Sequence, residues 1–310
     1  MWNPEVVVDE ELARALIGDR VPGLRDAPLR LLGEGWDSTV WRAGDEWVFR
    51  FPRREVVVPG FLREVEVLPR LAPALPLPVP VAEVRAEPDE RFRWPWAGFR
   101  ILPGRELAEI GADEEARVRH GRGLGRFLRA LHDVDPATAT VGGELLPVDP
   151  VRRADMPFRV ERAEDQLGRL AELGLWWSPP AFAAVMEEAR GLPEPDALVV
   201  CHGDLHVRHL LVSDTGDLAG VIDWIDVCRA DACIDLLLYW GYLNAAGREA
   251  FIAEYGPVDG VRLLRARVVT VSVWGALAEY AHAVGMEQLG REAVAGLDRA
   301  TCGGLRGQSP

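Results

Sequence analysis

The sequence predicts an α+β protein of two lobes, a small antiparallel sheet followed by a larger, mainly helical part. Three observations carry that prediction. Between residues 29 and 52, short apolar-rich runs, one of them alternating over 39–42, are separated by Gly and Asp turn signals, the pattern of antiparallel strands. Pro103-Gly104 then breaks the chain. Beyond it, long stretches repeat apolar residues at helical spacing. The division gives lobes of 1–102 and 103–310, and a chain of 310 residues suits one large domain or two lobes.

In chain order, residues 10–17 read as a short amphipathic helix. Strands are expected over 29–32, 39–42 and 46–52. The glycine-containing turn Gly33-Glu34-Gly35-Trp36-Asp37-Ser38 separates the first two, and Gly44-Asp45 the next two. Pro59 marks the first turn of a helix over 59–71, with Val65, Leu68 and Leu71 on one face and Glu64 beside it. Four prolines within 73–80 exclude regular structure there. Strands follow near 81–86 and 96–102. The second lobe opens with a long helix over 113–131, closed by His132-Asp133, and continues with helices over 158–173 and 181–189. Short strands flank the loop after Val199-Val200, and another covers 218–222. Asp231 is the expected N-cap of a further helix. Helices over 261–284 and 288–297 complete the order, and the tail from Gly303 is expected to fray.

Composition excludes several functions. A net charge of −14 argues against nucleic acid, which needs basic surface, and suits a cationic small molecule. No window offers eighteen uninterrupted apolar residues, so no membrane span is expected. Met1-Trp2-Asn3-Pro4-Glu5 lacks the positive start and apolar core of a leader. Cysteines at 201, 228, 233 and 302 form neither a disulfide frame nor a CxxC site, so a reducing cytoplasm is expected. The chain contains no lysine. Its 35 basic residues are all arginine, a bias in keeping with GC-rich bacterial coding, so arginine must fill every role that lysine usually takes.

The stretch Val199-Val200-Cys201-His202-Gly203-Asp204-Leu205-His206-Val207-Arg208-His209 concentrates three of the six histidines in one loop. After a further strand and turn comes Asp223-Trp224. Two carboxylates at the ends of buried runs call for a cation between them. One reading is a metal-dependent hydrolase, with His202, Asp204, His206 and His209 offered to zinc. The other is phosphoryl transfer: Asp204 as base, His209 as metal ligand five residues on, and Asp223 as a second ligand after one hairpin. The protein kinases place a base and two metal ligands in that order. His202 and His206 would brace the loop by hydrogen bonds.

His202-Gly203-Asp204-Leu205-His206, the ligand at 209 and Ile222-Asp223-Trp224 resemble the aminoglycoside phosphotransferase family, which has a kinase-like fold. Asp231, Asp235-Leu236, Leu131-His132, Gly35-Trp36-Asp37-Ser38 and Phe49-Arg50-Phe51-Pro52 extend the resemblance over roughly residues 28 to 245. It implies Asp204 as catalytic base and Asp223 as metal ligand. It implies Arg50 on the phosphates with Glu64 as its partner, and a cover for the phosphates from Gly35 and Ser38. Phe99, Arg100 and Ile101 would form the interlobe hinge, whose backbone meets the nucleobase.

Two positions depart from the common pattern. Most of the family places Asn where this chain has His209, and the macrolide phosphotransferase branch carries His there; Arg50 replaces the commoner Lys. The resemblance implies ATP or GTP as donor and Mg2+ as the ion, and the imidazole would relax that preference towards Mn2+. The acceptor would be an aminoglycoside or a macrolide, with choline, homoserine or sugar kinases as the metabolic alternative and an inactive nucleotide-binding protein as another. Asp226, Trp240 and Trp176 are the expected acceptor contacts. The sequence leaves the oligomeric state open.

Overall fold

The three apolar-rich runs between residues 29 and 52 build β1 (Leu29–Glu34), β2 (Ser38–Ala43) and β3 (Trp47–Pro52). With β4 (Ala82–Ala86) and β5 (Trp96–Arg100) they form one sheet, ordered β1-β2-β3-β5-β4 and antiparallel at every pairing. The structure is a computed structural model that describes residues 4–35, 37–195 and 197–302. Trp36 of the glycine turn, the first three residues and the tail from Gly303 lie outside the described residues.

One face of the sheet buries Trp41, Phe49, Phe51 and Trp96 with Phe92 and Trp94. Helix α1 (Glu10–Arg20), capped by Asp9, closes this core with Ala13, Leu16 and Ile17. It runs one turn beyond the expected end at residue 17. Fully burying side chains of this size contributes about 1.5–3 kcal/mol each. Phe61 and Val65 of α2 (Val58–Leu71) pack with Ala82, Ala97 and Phe99 in a second cluster. Pro59 stands in the first turn of α2, as its fixed φ favours. Glu64 lies within the buried face, not beside it, because it falls three residues after Phe61 and four before Leu68.

The chain divides into two compact units. The first runs to Pro73 and adds Pro78–Leu102 and Thr140–Glu144. That last segment belongs to a short ribbon of β7 (Thr140–Val141) and β8 (Glu144–Leu145), joined to α2 by Arg70 on the Thr140 carbonyl and by Glu66 on the Gly142 amide. The second unit takes Ala74–Leu77, Pro103–Ala139 and the chain from Leu145.

In the second unit, α4 (Glu114–His132) follows β6 (Arg105–Glu106) and α3 (Leu107–Ile110), with Asp113 as its cap. It packs on α8 (Ala245–Tyr255), a helix the sequence pattern does not announce. Backbone meets backbone here: a Cβ on Gly121 would lie 2.3 Å from the Gly247 carbonyl oxygen, and one on Gly125 2.6 Å from that of Phe251. Helices α5 (Met156–Glu172), α6 (Phe182–Arg190) and α10 (Glu287–Cys302) surround α9 (Gly260–Val284), whose Trp274 is fully buried. Asp231 caps only one 3-10 turn, Ala232–Asp235, before the short α7 (Leu237–Gly241). Strand β9 (Val199–Cys201) pairs with β12 (Cys228–Ala230), and β10 (Leu210–Val212) pairs with β11 (Leu218–Val221) and β6. These short strands carry the histidine loop. No described helix is long and apolar enough to cross a membrane.

Candidate active site

The loop after β9 is held from below by one buried carboxylate. Asp235 accepts the N–H groups of His202 at 2.7 Å and Gly203 at 2.9 Å, and lies 3.3 Å from His132 Nε2. The other nitrogen of His132 meets the Tyr255 hydroxyl at 2.7 Å. His132 is thus a structural link between α4, α8 and the loop. Gly203 has φ +92°, and a Cβ there would lie 2.3 Å from the Asp226 carbonyl oxygen, so the turn admits only glycine.

His202 ties the two carboxylate-bearing segments together. Its Nδ1 accepts the Asp204 N–H at 3.2 Å, so Nε2 carries the proton and donates to the Ile222 carbonyl at 3.0 Å. Burial pushes its pKa down, keeping the ring neutral as this pattern needs. His206 caps the turn Val207–His209 by accepting the Arg208 N–H, and burial pushes its pKa well down.

Asp204 is the focus. Arg153 donates to its Oδ1 at 2.7 Å, and His206 Nε2 stands 3.6 Å from Oδ2. Burial opposes ionisation, but the Arg153 guanidinium outweighs it, holding the carboxyl far below the usual carboxylate range. His209 donates from Nδ1 to the Asp204 carbonyl at 2.8 Å, which turns Nε2 towards Asp223 at 3.3 Å. Burial disfavours protonating His209, yet Asp223 and Asp204 prevail and raise its pKa. Asp223 adopts φ +66°, unusual for a residue with a side chain and common where function holds a strained backbone.

A divalent cation suits this pair. His209 offers one nitrogen, its tautomer fixed by a carbonyl, and Asp223 offers carboxylate oxygens. A closed zinc site does not fit as well. Ligand atoms of Asp204, His206 and His209 lie within 4.8 Å of one another, but Asp204 Oδ1 already holds a guanidinium. A zinc ion there would sit beside Arg153.

In the first unit, Arg50 on β3 and Glu64 on α2 form an ion pair at 2.6 Å, Glu64 being fully buried. Arg50 pairs across the sheet with Val40 and Ala97, which fixes its place mid-strand. The Gly35 amide donates to the Ser38 carbonyl, and Arg53 and Arg54 hold the same turn through Gly35 O and Asp37. Ser38 Oγ is buried without a partner among the described residues. Phe99 is core. Arg100 stacks 4.1 Å over Trp47, and the Ile101 amide donates to the Glu46 carbonyl, so that amide is engaged within the sheet.

The expected acceptor contacts divide. Asp226 joins the Asp204 group through Arg153, which donates to it at 2.9 Å. Trp240 and Trp176 do not: their indole N–H groups donate to the Leu263 carbonyl and to Asp298, and Trp240 stacks on Arg248 and Arg267. Pattern reading missed Arg153, whose only signal was a charged pair, Arg152-Arg153, in a loop ahead of α5. It also missed Glu106, paired with Leu211 across β6–β10 and 3.8 Å from Arg208. Burial raises the Glu106 pKa.

Comparison with known proteins places the chain in a family. Residues 28–269 match the family described as the phosphotransferase enzyme family. The uncharacterized protein YcbJ of Bacillus subtilis (strain 168) is 28% identical over 244 residues, covering 73% of this chain and 74% of that protein. Among solved structures, the GDP and kanamycin complex of APH(2")-IIIa superposes with a TM-score of 0.70 at 20% identity, covering 94% of this chain and 99% of that one. Macrolide 2'-phosphotransferase MphH from Brachybacterium faecium gives 0.64 at 24% identity, with 94% and 98% covered. At such identities the structures speak for the fold, a kinase-like one.

Proposed function

This chain belongs to the phosphotransferase enzyme family, and from that premise we propose that it transfers the γ-phosphoryl group of ATP or GTP to a hydroxyl of a small molecule. The observation that carries the reading is the pairing of an ionised Asp204, aimed by Arg153 and His202, with the His209–Asp223 couple five and nineteen residues on. Phosphoryl transfer asks the protein for position and charge neutralisation more than for covalent chemistry.

Asp204 accepts the hydrogen bond of the acceptor hydroxyl and takes its proton as the new oxygen–phosphorus bond forms. The bond from phosphorus to the β–γ bridging oxygen breaks, and its electron pair leaves with the nucleoside diphosphate. Arg50, oriented by Glu64, serves the phosphates, and the turn of Gly35 and Ser38 covers them, the Ser38 hydroxyl being the donor because the Ser38 carbonyl occupies the Gly35 amide. His209 and Asp223 would hold Mg2+, or Mn2+ given the nitrogen ligand. When bound, such an ion offsets charge on the phosphate oxygens. Phe99, Arg100 and Ile101 are the proposed nucleobase contact, with the Ile101 amide discounted because Glu46 occupies it.

The acceptor we propose is an aminoglycoside or a macrolide. Structures of this fold include a kanamycin complex and a macrolide enzyme, and a net charge of −14 attracts molecules bearing amines. The test is a nucleotide-consumption assay with aminoglycosides, macrolides and small metabolic alcohols. Asp204→Asn should lower turnover by about 10²–10⁴-fold while nucleotide affinity stays unchanged. Equal loss of both would remove Asp204 from the role of base.

A further inference from the structure

Beside the base, one guanidinium joins two carboxylates. Arg153, only 12% exposed in its side chain, gives one N–H to Asp204 and another to Asp226. Its backbone is fixed too, because Asp149 accepts the N–H groups of Arg153 and Ala154, each at 2.7 Å. Asp149 and Arg152 both take positive φ to shape this turn. A guanidinium carries five N–H donors in one plane. Two go to carboxylates, and the others have no protein partner among the described residues.

This arrangement changes what the site can recognise. Asp226 would attract a cation on the acceptor, but Arg153 already supplies that cation. An ammonium brought next to Asp204 would meet a like charge, whereas an oxygen would meet spare donors. We propose that Arg153 is a specificity-determining residue that aims Asp204 and hydrogen-bonds an acceptor oxygen adjacent to the phosphorylated hydroxyl. That neighbouring group is a hydroxyl, ether or carboxylate oxygen, and the acceptor's ammonium groups lie further away. The inference rests on the phosphotransferase reading above.

The test compares matched acceptors: glucose with glucosamine, and an aminocyclitol glycoside with its counterpart bearing a hydroxyl in place of the amine next to the reacting position. The wild-type enzyme should favour the oxygen member of each pair by about tenfold or more in kcat/KM. Arg153→Met should erase that preference and lower kcat by about a hundredfold, with the nucleotide Kd little changed and the melting temperature lowered, because Asp204 and Asp226 lose their shared counter-charge. Arg153→Lys, which keeps charge but loses the planar fork, should recover part of kcat and little of the preference. Asp226→Asn should weaken the preference, and its effect should not add to that of Arg153→Met. Preference for the amine members, or a preference surviving Arg153→Met, would overturn the inference while leaving the phosphotransferase reading in place. Nucleotide binding with no transfer to either member of any pair would overturn it as well. Absence of nucleotide binding itself would remove both.

Discussion

At the scale of single residues, His209 is the most informative position. Imidazole is a softer donor than the oxygen of an asparagine side chain, so it tilts metal preference away from magnesium. His209→Asn should shift the ion preference from Mn2+ towards Mg2+, read from nucleotide turnover titrated with each metal. An unchanged ratio would place His209 outside the metal site. The Arg50–Glu64 pair makes a second case. Breaking a buried ion pair by removing one partner leaves a buried charge behind and costs about 3–5 kcal/mol. Glu64→Ala should therefore lower the denaturant midpoint and weaken nucleotide binding together, whereas a solvated glutamate would give neither.

At the scale of elements, the approach of α4 to α8 admits no side chain between the backbones. Gly121→Ala should push the helices apart and destabilise by about 1–3 kcal/mol, visible as a lower melting temperature. The same helix carries His120, buried between the Tyr242 hydroxyl at 2.6 Å and the Gly216 carbonyl at 2.8 Å. Burial pushes its pKa below the usual value, so the unfolded chain binds the proton more readily. Stability should then be full above about pH 6.5 and fall as the pH drops beneath it, and His120→Gln should flatten part of that slope in urea titrations. These elements also show what a sequence can carry. Spacing alone brings Asp204, His209 and Asp223 to one place, because a loop and a hairpin fix their separation, while their roles come from the resemblance. α8 gives little warning, since its buried stripe is only Gly247, Phe251 and Tyr255 within eleven residues. Arg153 gives less: it reaches Asp204 across 51 residues of sequence, and only the folded turn at Asp149 aims it. Trp176 and Trp240 look ligand-facing on aromatic character alone, yet neighbouring helices claim their N–H groups.

For the whole molecule, charge is the governing property. An excess of acidic residues gathers cationic solutes, and salt screens that attraction beyond about 10 Å at 0.1 M. The KM for a cationic acceptor should rise several-fold between roughly 0.05 and 0.5 M salt, with kcat nearly constant. A flat response would mean that the acidic balance plays no part in acceptor capture. The arginine at position 50 has a chemical consequence of its own. Reagents that label nucleotide sites by acylating an amine need a lysine, and this protein has none anywhere. A guanidinium keeps its proton through the alkaline range and is a poor nucleophile. Acyl-phosphate nucleotide probes should bind here and leave no covalent mark, and an Arg50→Lys variant should turn that silent site into a labelled one.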